Sequence, residues 1–207
     1  MERISLVSTL LAIGLLGFAQ TLLAEPQTAE QKPKNAMGAG FAQTLLAEPQ
    51  TAEQKLKNAM SAGPPSVAKD ATILDRVDVA KAKVLRQGTN GWTCLPDDPG
   101  SPGNDPQCLD KNGLEWWKAL MAHTAPKLTA PGIDYMLQGG SDASNTDPFA
   151  SQPPAGQQWV TSPPHVMFIP GPGQKLDPTF FSTDPHSGGP WIMFPGTPYA
   201  HLMVPVN

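Results

Sequence analysis

Methionine and histidine recur two positions apart along this chain. The spacing occurs in three pairs, Met121/His123, His165/Met167 and His201/Met203. The last two pairs fall in stretches that we predict to be strands, where residues i and i+2 share a face. A thioether beside an imidazole suits copper, especially Cu(I). The spacing therefore suggests a metal site formed by these two pairs, although packing of the methionines in an ordinary core explains it more simply.

A polar segment at residues 139–148, with the sequence GGSDASNTDP, carries a second candidate site. Asp142, Asn145 and Asp147 offer side-chain oxygens, and Ca²⁺ takes several oxygen ligands from flexible loops. The interpretation that we favour is a turn in which Asp and Asn side chains bond to nearby backbone. A metal ion is the one cofactor that these two patterns suggest.

Ser141 and Ser144, in the same segment, are candidate nucleophiles if one of the four histidines serves as their base. The chain has no G-x-S-x-G motif, which holds the nucleophile of many serine hydrolases on a sharp turn. A hydrolase therefore remains an alternative function, and no catalytic residue is assigned.

Cys94 and Cys108 are the only cysteines of the chain. An even cysteine count in an exported protein predicts a disulfide, and the C-x-x-C spacing of redox pairs is absent. The bridge would close a loop of 15 residues, which is worth about 3 kcal/mol in the chain-entropy model. We therefore predict a structural disulfide.

The N-terminal region predicts export. Residues 1–24 combine Arg3, a mainly apolar run and small residues near a plausible cleavage position, which is the pattern of a cleaved signal peptide. After cleavage no stable membrane span would remain. Together with the cysteine pair, this pattern predicts a periplasmic or secreted protein.

A tandem duplication follows the predicted signal. Residues 17–32 recur unchanged as residues 40–55, and the match continues to residue 61 with only two differences, Pro33 against Leu56 and Gly38 against Ser61. Fold repeats need three or more units with buried faces. We therefore interpret residues 25–63 as a duplicated low-complexity spacer and residues 64–207 as a single globular domain.

The predicted domain holds 21 of the 24 prolines and all five tryptophans, and its 9 basic and 13 acidic residues give a net charge of −4. Binding to a phosphate backbone depends on many Lys and Arg contacts, so we expect no nucleic-acid partner. The aromatic residues favour a folded, loop-rich domain over a disordered one.

The best helix signal is residues 110–123, which Asp110 or Asn112 can cap. An apolar stripe of Leu114, Trp117, Leu120 and Met121 marks its predicted buried face. Strands are predicted at residues 133–137, 165–169, 191–194 and 200–204. One principal helix, five or six short strands and long Pro/Gly-rich loops predict an α+β, mainly antiparallel β domain.

Two earlier segments are less clear. Residues 70–83 show both helical spacing and strand alternation, so either structure fits them. The Asn90–Gly91 turn typically joins two strands, here residues 82–87 and a strand that continues through Trp92 to Cys94. The Pro-, Asp- and Gly-rich stretch of residues 95–107 is predicted to be a loop.

The strings GTNGWTC, GGSDASNTDP and GTPYAHLMVPV, which span most of residues 88–206, resemble an uncharacterised family of exported bacterial proteins. The resemblance implies a bacterial, periplasmic setting and carries no known activity.

The leading hypothesis is a non-catalytic envelope or secreted domain that binds a small ligand or a protein through Trp-rich loops. The alternatives are a periplasmic copper or calcium protein and a hydrolase.

Overall fold

A computed structural model describes residues 50–206. The predicted signal peptide and the first copy of the duplication lie outside these residues. The described residues belong to one compact unit, and they include residues before Pro64, where the sequence placed the start of the domain.

The described residues form three helices and ten strands. The helices are α1 (Ala52–Ser61), α2 (Pro65–Ala68) and α3 (Lys111–Met121). The strands are β1 (Thr72–Leu74), β2 (Val84–Arg86), β3 (Thr93–Leu95), β4 (Gln107–Leu109), β5 (Gly132–Met136), β6 (Gly140–Asp142), β7 (Val160–Ser162), β8 (His165–Ile169), β9 (Trp191–Met193) and β10 (His201–Pro205).

Eight strands form one sheet in the order β2-β1-β3-β4-β5-β8-β10-β9, while β6 and β7 pair separately. The pairing in the large sheet is antiparallel except between β1 and β3, which run parallel. The α+β class with a mostly antiparallel sheet is therefore confirmed. The prediction of one principal helix is not, because α1 has 10 residues and α3 has 11.

Helix α1 lies inside the second copy of the duplication. A reciprocal capping box begins it, since Thr51 Oγ1 accepts from the backbone N–H of Gln54 while Gln54 Oε1 accepts from that of Thr51. Ala59 and Ala62 are fully buried beneath the sheet. The last part of the predicted spacer is therefore a structural element of the domain.

The two copies of the duplication are not equivalent as helix sequences. Leu56 packs against the core from the middle of α1, and the first copy has Pro33 at the matching position. Proline inside a helix removes a backbone hydrogen bond and clashes with the preceding turn, which costs about 3 kcal/mol. Only the second copy has a sequence suited to this helix.

Helix α3 packs on the opposite face of the sheet. Asp110 caps it by accepting a hydrogen bond from the Gly113 N–H at 2.7 Å, as predicted. The buried side is Gly113, Trp116 and Leu120, whereas Met121 of the predicted stripe is 43% exposed. The buried face of α3 is therefore rotated about the helix axis from the predicted one. The helix comes closest to the sheet at Gly113, and a pattern of apolar side chains does not mark a glycine as buried.

The close approach between α3 and β5 depends on two glycines. A Cβ on Gly132 would lie 2.6 Å from the Gly113 nitrogen, and a Cβ on Gly113 would lie 2.8 Å from the Ile133 carbonyl oxygen. Real Cβ atoms are not found at such distances from backbone. The two glycines thus set how near the Trp116 side chain comes to the sheet.

The Asn90–Gly91 turn connects β2 to β3, but these strands do not pair with each other. β1 lies between them, antiparallel to β2 and parallel to β3. Asn90 is held by a hydrogen bond from its amide to the Val67 carbonyl oxygen at 2.8 Å. The turn therefore joins two strands, as predicted, and the ambiguous segment at residues 70–83 supplies the strand between them, because local turn chemistry does not fix strand order.

The predicted disulfide between Cys94 and Cys108 is confirmed. The two residues are paired in register across β3 and β4 and are fully buried against α1 and Ile73. Among residues 50–206, no helix is long and apolar enough to cross a membrane.

Candidate functional site

A cavity of about 470 Å³ opens between the α3 side of the sheet and the loops around residues 98–105 and 141–152. Its apolar wall comes from strands β5, β8, β9 and β10 and from α3, and includes Trp116, Met136, Met167, Met193, His201 and Met203. Its polar wall includes Asp98, Ser101, Asp105, Ser141 and Asp142. Concave, mainly apolar sites with a few polar groups are the usual form of small-molecule sites.

Strand register places the methionines of the apolar wall side by side. Met203 on β10 is directly opposite Met167 on β8, and His201 on β10 is directly opposite Met193 on β9. Because alternate residues of a strand share a face, His201 and Met203 point to the same side. The described side chains of this layer form one buried cluster with Trp116 and Trp191.

His201 is the buried ionisable group of the apolar wall. It is 1% exposed, and its ring makes edge contacts with Trp116 and Phe194 at centroid distances of 4.9 and 5.6 Å. Burial lowers the pKa of His201 to about 4, so the imidazole is neutral near pH 7.

The hydrogen bonds of His201 fix which nitrogen carries the proton. Nδ1 lies 2.9 Å from the Tyr199 carbonyl oxygen, and a carbonyl oxygen can only accept. Nδ1 is therefore protonated, and the neutral ring keeps its lone pair on Nε2. That Nε2 is buried and has no hydrogen-bond partner among the described residues, which makes it an available ligand atom.

His165 has the same internal arrangement at a different place. Its Nδ1 lies 2.7 Å from the Pro163 carbonyl oxygen, and its buried Nε2 also lacks a partner within the described part of the chain. Burial lowers the pKa of this imidazole as well. In register, however, His165 faces Pro205 on β10 and Met136 on β5.

The predicted quartet of His165, Met167, His201 and Met203 is thus brought onto one face of two neighbouring strands. The two histidines lie at opposite ends of the Met167–Met203 pair, four positions apart in register. At about 3.4 Å per residue, their Cα atoms are about 14 Å apart along the strands. Met193, which is not in any of the predicted pairs, is directly opposite His201 and therefore lies nearer to it than His165 does.

The polar wall concentrates carboxyl groups whose ionisation is unfavourable. Burial, reinforced by the nearby charge of Asp105, raises the pKa of Asp142 to about 7. Asp97 does not line the cavity but contacts Asp105, which does, and burial and a hydrogen bond with Asp105 raise the pKa of Asp97 to about 6. Carboxyl groups with such raised values are typical of functional sites, so this wall attracts cations and holds protons near neutral pH.

The loop that carries Asp97, Asp98 and Asp105 is anchored by its own side chains and by α1. Asp105 is 8% exposed and accepts from Ser101 Oγ at 2.6 Å, while Asp97 accepts from the Asp105 N–H at 2.8 Å. Asn58 on α1 accepts from the Asp97 N–H at 2.7 Å. Helix α1 therefore positions the polar wall, although it lies in the segment that was interpreted as a spacer.

Asp134 is a buried carboxyl group that sequence reasoning did not single out. It is fully buried on β5 beside Met167, and its Oδ1 accepts from the Cys108 N–H at 3.1 Å. Its Oδ2 has no partner among residues 50–206, and burial raises the pKa well above the ordinary value. The sequence carried no signal for it, because Asp134 alternates with the apolar Ile133 and Tyr135 in the predicted strand 133–137.

The candidate calcium ligands do not point to a common place. Asn145 accepts from Trp191 Nε1 at 3.2 Å and donates to the Thr183 carbonyl oxygen at 2.9 Å. Asp147 Oδ1 accepts from the Phe149 N–H at 2.9 Å, as in the turn that we favoured. Asp142 alone of the three lines the cavity. Within residues 50–206, no three His, Cys, Asp or Glu side chains gather so as to hold a metal ion.

The candidate nucleophiles also differ in position. Ser144 Oγ accepts from the backbone N–H groups of Thr146 and Asp147 at 3.1 and 3.0 Å, so it serves the turn. Ser141 borders the cavity. The pair Met121/His123 lies at the end of α3, where the His123 ring stacks on Phe149 at 4.1 Å.

A second cavity of about 500 Å³ lies on the other side of Trp116. Its lining contains four prolines and two glycines, apolar side chains such as Leu128, Ile169 and Leu176, and Lys127 and Lys175. It holds neither a histidine nor a carboxyl group, so the first cavity is the stronger candidate site.

Comparison of the chain with family models, with curated proteins and with solved structures found no match. The site is therefore interpreted from its own chemistry.

Proposed function

We propose that this protein is an exported, non-catalytic binding protein whose ligand enters the cavity between the α3 side of the sheet and the acidic loops. The observation that carries the proposal is the cavity itself. It joins a buried wall of methionine, tryptophan and histidine to a wall of carboxyl groups, in a volume of about 470 Å³. That volume falls within the range of small-molecule sites.

The disulfide and the hydrogen bonds of the acidic loop support the proposal, because they hold the cavity wall in place before a ligand binds. The disulfide ties β3 to β4 at the base of the acidic loop, and Asp105 and Asn58 hold the loop from within. A site that is already ordered loses less conformational entropy when it binds. The polar wall then selects for ligands that carry positive charge or hydrogen-bond donors.

The test uses a fluorescent apolar amine, 1-aminoanthracene, with the purified full chain. We expect saturable binding with enhanced fluorescence. Ala150 is half-buried at the cavity wall, so Ala150→Trp should place an indole in the opening and weaken binding at least tenfold. Ala155 is exposed and outside the cavity lining, so Ala155→Trp is the matched control and should bind as the parent does.

Two outcomes would contradict the proposal. Absence of saturable binding would show that the cavity does not accept a small apolar ligand. Equal weakening by Ala150→Trp and Ala155→Trp would place the probe elsewhere or indicate a general loss of structure, which circular dichroism of both variants distinguishes.

A further inference from the structure

The inner end of the cavity brings one imidazole and three thioethers together from three strands. Met193 faces His201 across β9 and β10, Met203 follows His201 by two residues on the same face, and Met167 faces Met203 across β8 and β10. Residues directly opposite in an antiparallel pair have Cβ atoms about 4.5–5.5 Å apart. The flexible methionine side chain can bring its sulfur to an ion at that range.

The His201 imidazole has the orientation and tautomer that a metal ligand needs. Its Nδ1–H donates to the Tyr199 carbonyl oxygen, and its buried Nε2 has no partner among the described residues. Metal-binding histidines commonly donate the second ring N–H to a carbonyl or carboxylate, which fixes the ring and its tautomer. An unpaired buried acceptor in an apolar layer is unfavourable because its lost hydration is not replaced, so a bound cation would remove this penalty.

We propose that the ligand of the cavity is a soft monovalent metal ion, Cu(I), held by His201 Nε2 and the sulfurs of Met193 and Met203, with Met167 as the adjoining thioether. This inference rests on the proposed function, since it takes the cavity as the binding site. Thioether and imidazole ligands select Cu(I), whereas Ca²⁺ and Mg²⁺ prefer oxygen ligands.

The surroundings fit a Cu(I) site in an oxidising compartment. The cysteines are joined in a disulfide and leave no free thiol in residues 50–206, so methionine is the soft ligand that remains. Asp98, Asp105 and Asp142 line the outer part of the same cavity, where their carboxyl groups favour the entry of a cation.

The test measures binding of Cu(I) and of Ag(I), a redox-stable analogue, to the full chain. Anaerobic competition against a chromogenic Cu(I) chelator gives the affinity, and native mass spectrometry gives the stoichiometry. We expect one ion per chain. With ¹³C-methyl methionine, Ag(I) should shift the methyl resonances of Met193 and Met203 and leave that of Met60, on the other side of the sheet, unchanged.

Variants identify the ligands. Met→Leu substitutions keep the side-chain volume and remove the sulfur. The double variant Met193→Leu/Met203→Leu should weaken binding at least tenfold, as should His201→Gln. Met60→Leu is the matched control and should stay within twofold of the parent. Because the methyl shifts are read on the unsubstituted protein, a variant that folds poorly does not decide the result.

Lack of saturable Ag(I) and Cu(I) binding, or equal binding by the parent and the double variant, would overturn the inference. If 1-aminoanthracene still binds in that case, the cavity remains a binding site for another ligand and the proposed function stands. If neither metal nor probe binds, both proposals fail.

Discussion

Replacing Asp142 by asparagine tests whether the acidic wall of the cavity opposes ionisation. Asp142 is half-buried on β6, and burial together with the charge of Asp105 raises its pKa from 3.8 to about 7. When a carboxyl pKa is higher in the folded protein than in the unfolded chain, ionisation favours unfolding. The protein then loses stability as pH rises from about 4 to about 7, and the loss levels off above pH 7.

The size of the effect follows from these two pKa values. At about 1.36 kcal/mol per pH unit, Asp142 costs about 1.6 kcal/mol at pH 5 and about 4 kcal/mol at pH 8. Asparagine has nearly the same shape and does not ionise. Relative to the parent, Asp142→Asn should therefore gain about 2.5 kcal/mol of stability between pH 5 and pH 8. This is an upper bound, because a half-buried carboxylate keeps part of its hydration.

The assay is urea denaturation of the parent and the variant at both pH values, with metal removed. The difference between the two proteins cancels the contributions of Asp97 and Asp134, whose pKa values are also raised. Asp70→Asn, at an exposed position, is the matched control and should shift stability equally at pH 5 and pH 8. A gain by Asp142→Asn that is the same at both pH values would refute the reasoning.

Three further predictions concern the framework. Replacing both Cys94 and Cys108 by alanine should lower the free energy of unfolding by about 3 kcal/mol, as measured by urea denaturation against the reduced and oxidised parent; an unchanged value would show that the bridge adds no stability. Gly132→Ala should lower the free energy of unfolding by about 1–3 kcal/mol, because its Cβ would lie 2.6 Å from the Gly113 nitrogen. Gly189→Ala is the control: a Cβ there meets open space, so its free energy of unfolding should lie within about 0.5 kcal/mol of that of the parent. Asp110→Ala should lower the free energy of unfolding by about 1 kcal/mol through loss of the cap of α3, whereas Asp110→Ser should keep most of that stability because serine also caps helices. Thermal denaturation compares the two variants, and equal melting temperatures would contradict the capping role.

Much of the local structure could be predicted from the sequence. The strand His165–Ile169 has the predicted bounds, because a short apolar run between Pro164 and Pro170 marks a buried strand. The start of α3 follows from the capping chemistry of Asp110. Helix α1 was not predicted as part of the domain, because duplication and a polar composition resemble a spacer, whereas its fully buried residues are only small alanines.

The candidate site was predicted in part. The sequence singled out His201, Met167, Met203 and Asp142, and all four line one cavity. It did not indicate that Met193 faces His201, that Asp105 lies beside Asp142, or that Asp134 is buried. These are relations between strands and loops far apart in the chain, and side-chain patterns within one segment carry no information about them.

The sequence by itself determined which side chains can bind a ligand or form a disulfide, and which short segments can form strands. The chain has only two cysteines, it repeats histidine and methionine two positions apart, and it has a polar segment with two aspartates at residues 139–148. Tertiary structure decided which of these meet. Strand order placed β10 between β8 and β9, and two facing glycines let α3 approach the sheet, where its Trp116 contacts His201. Register and close approach are set by packing across the whole sheet, so they exist only once the chain has folded.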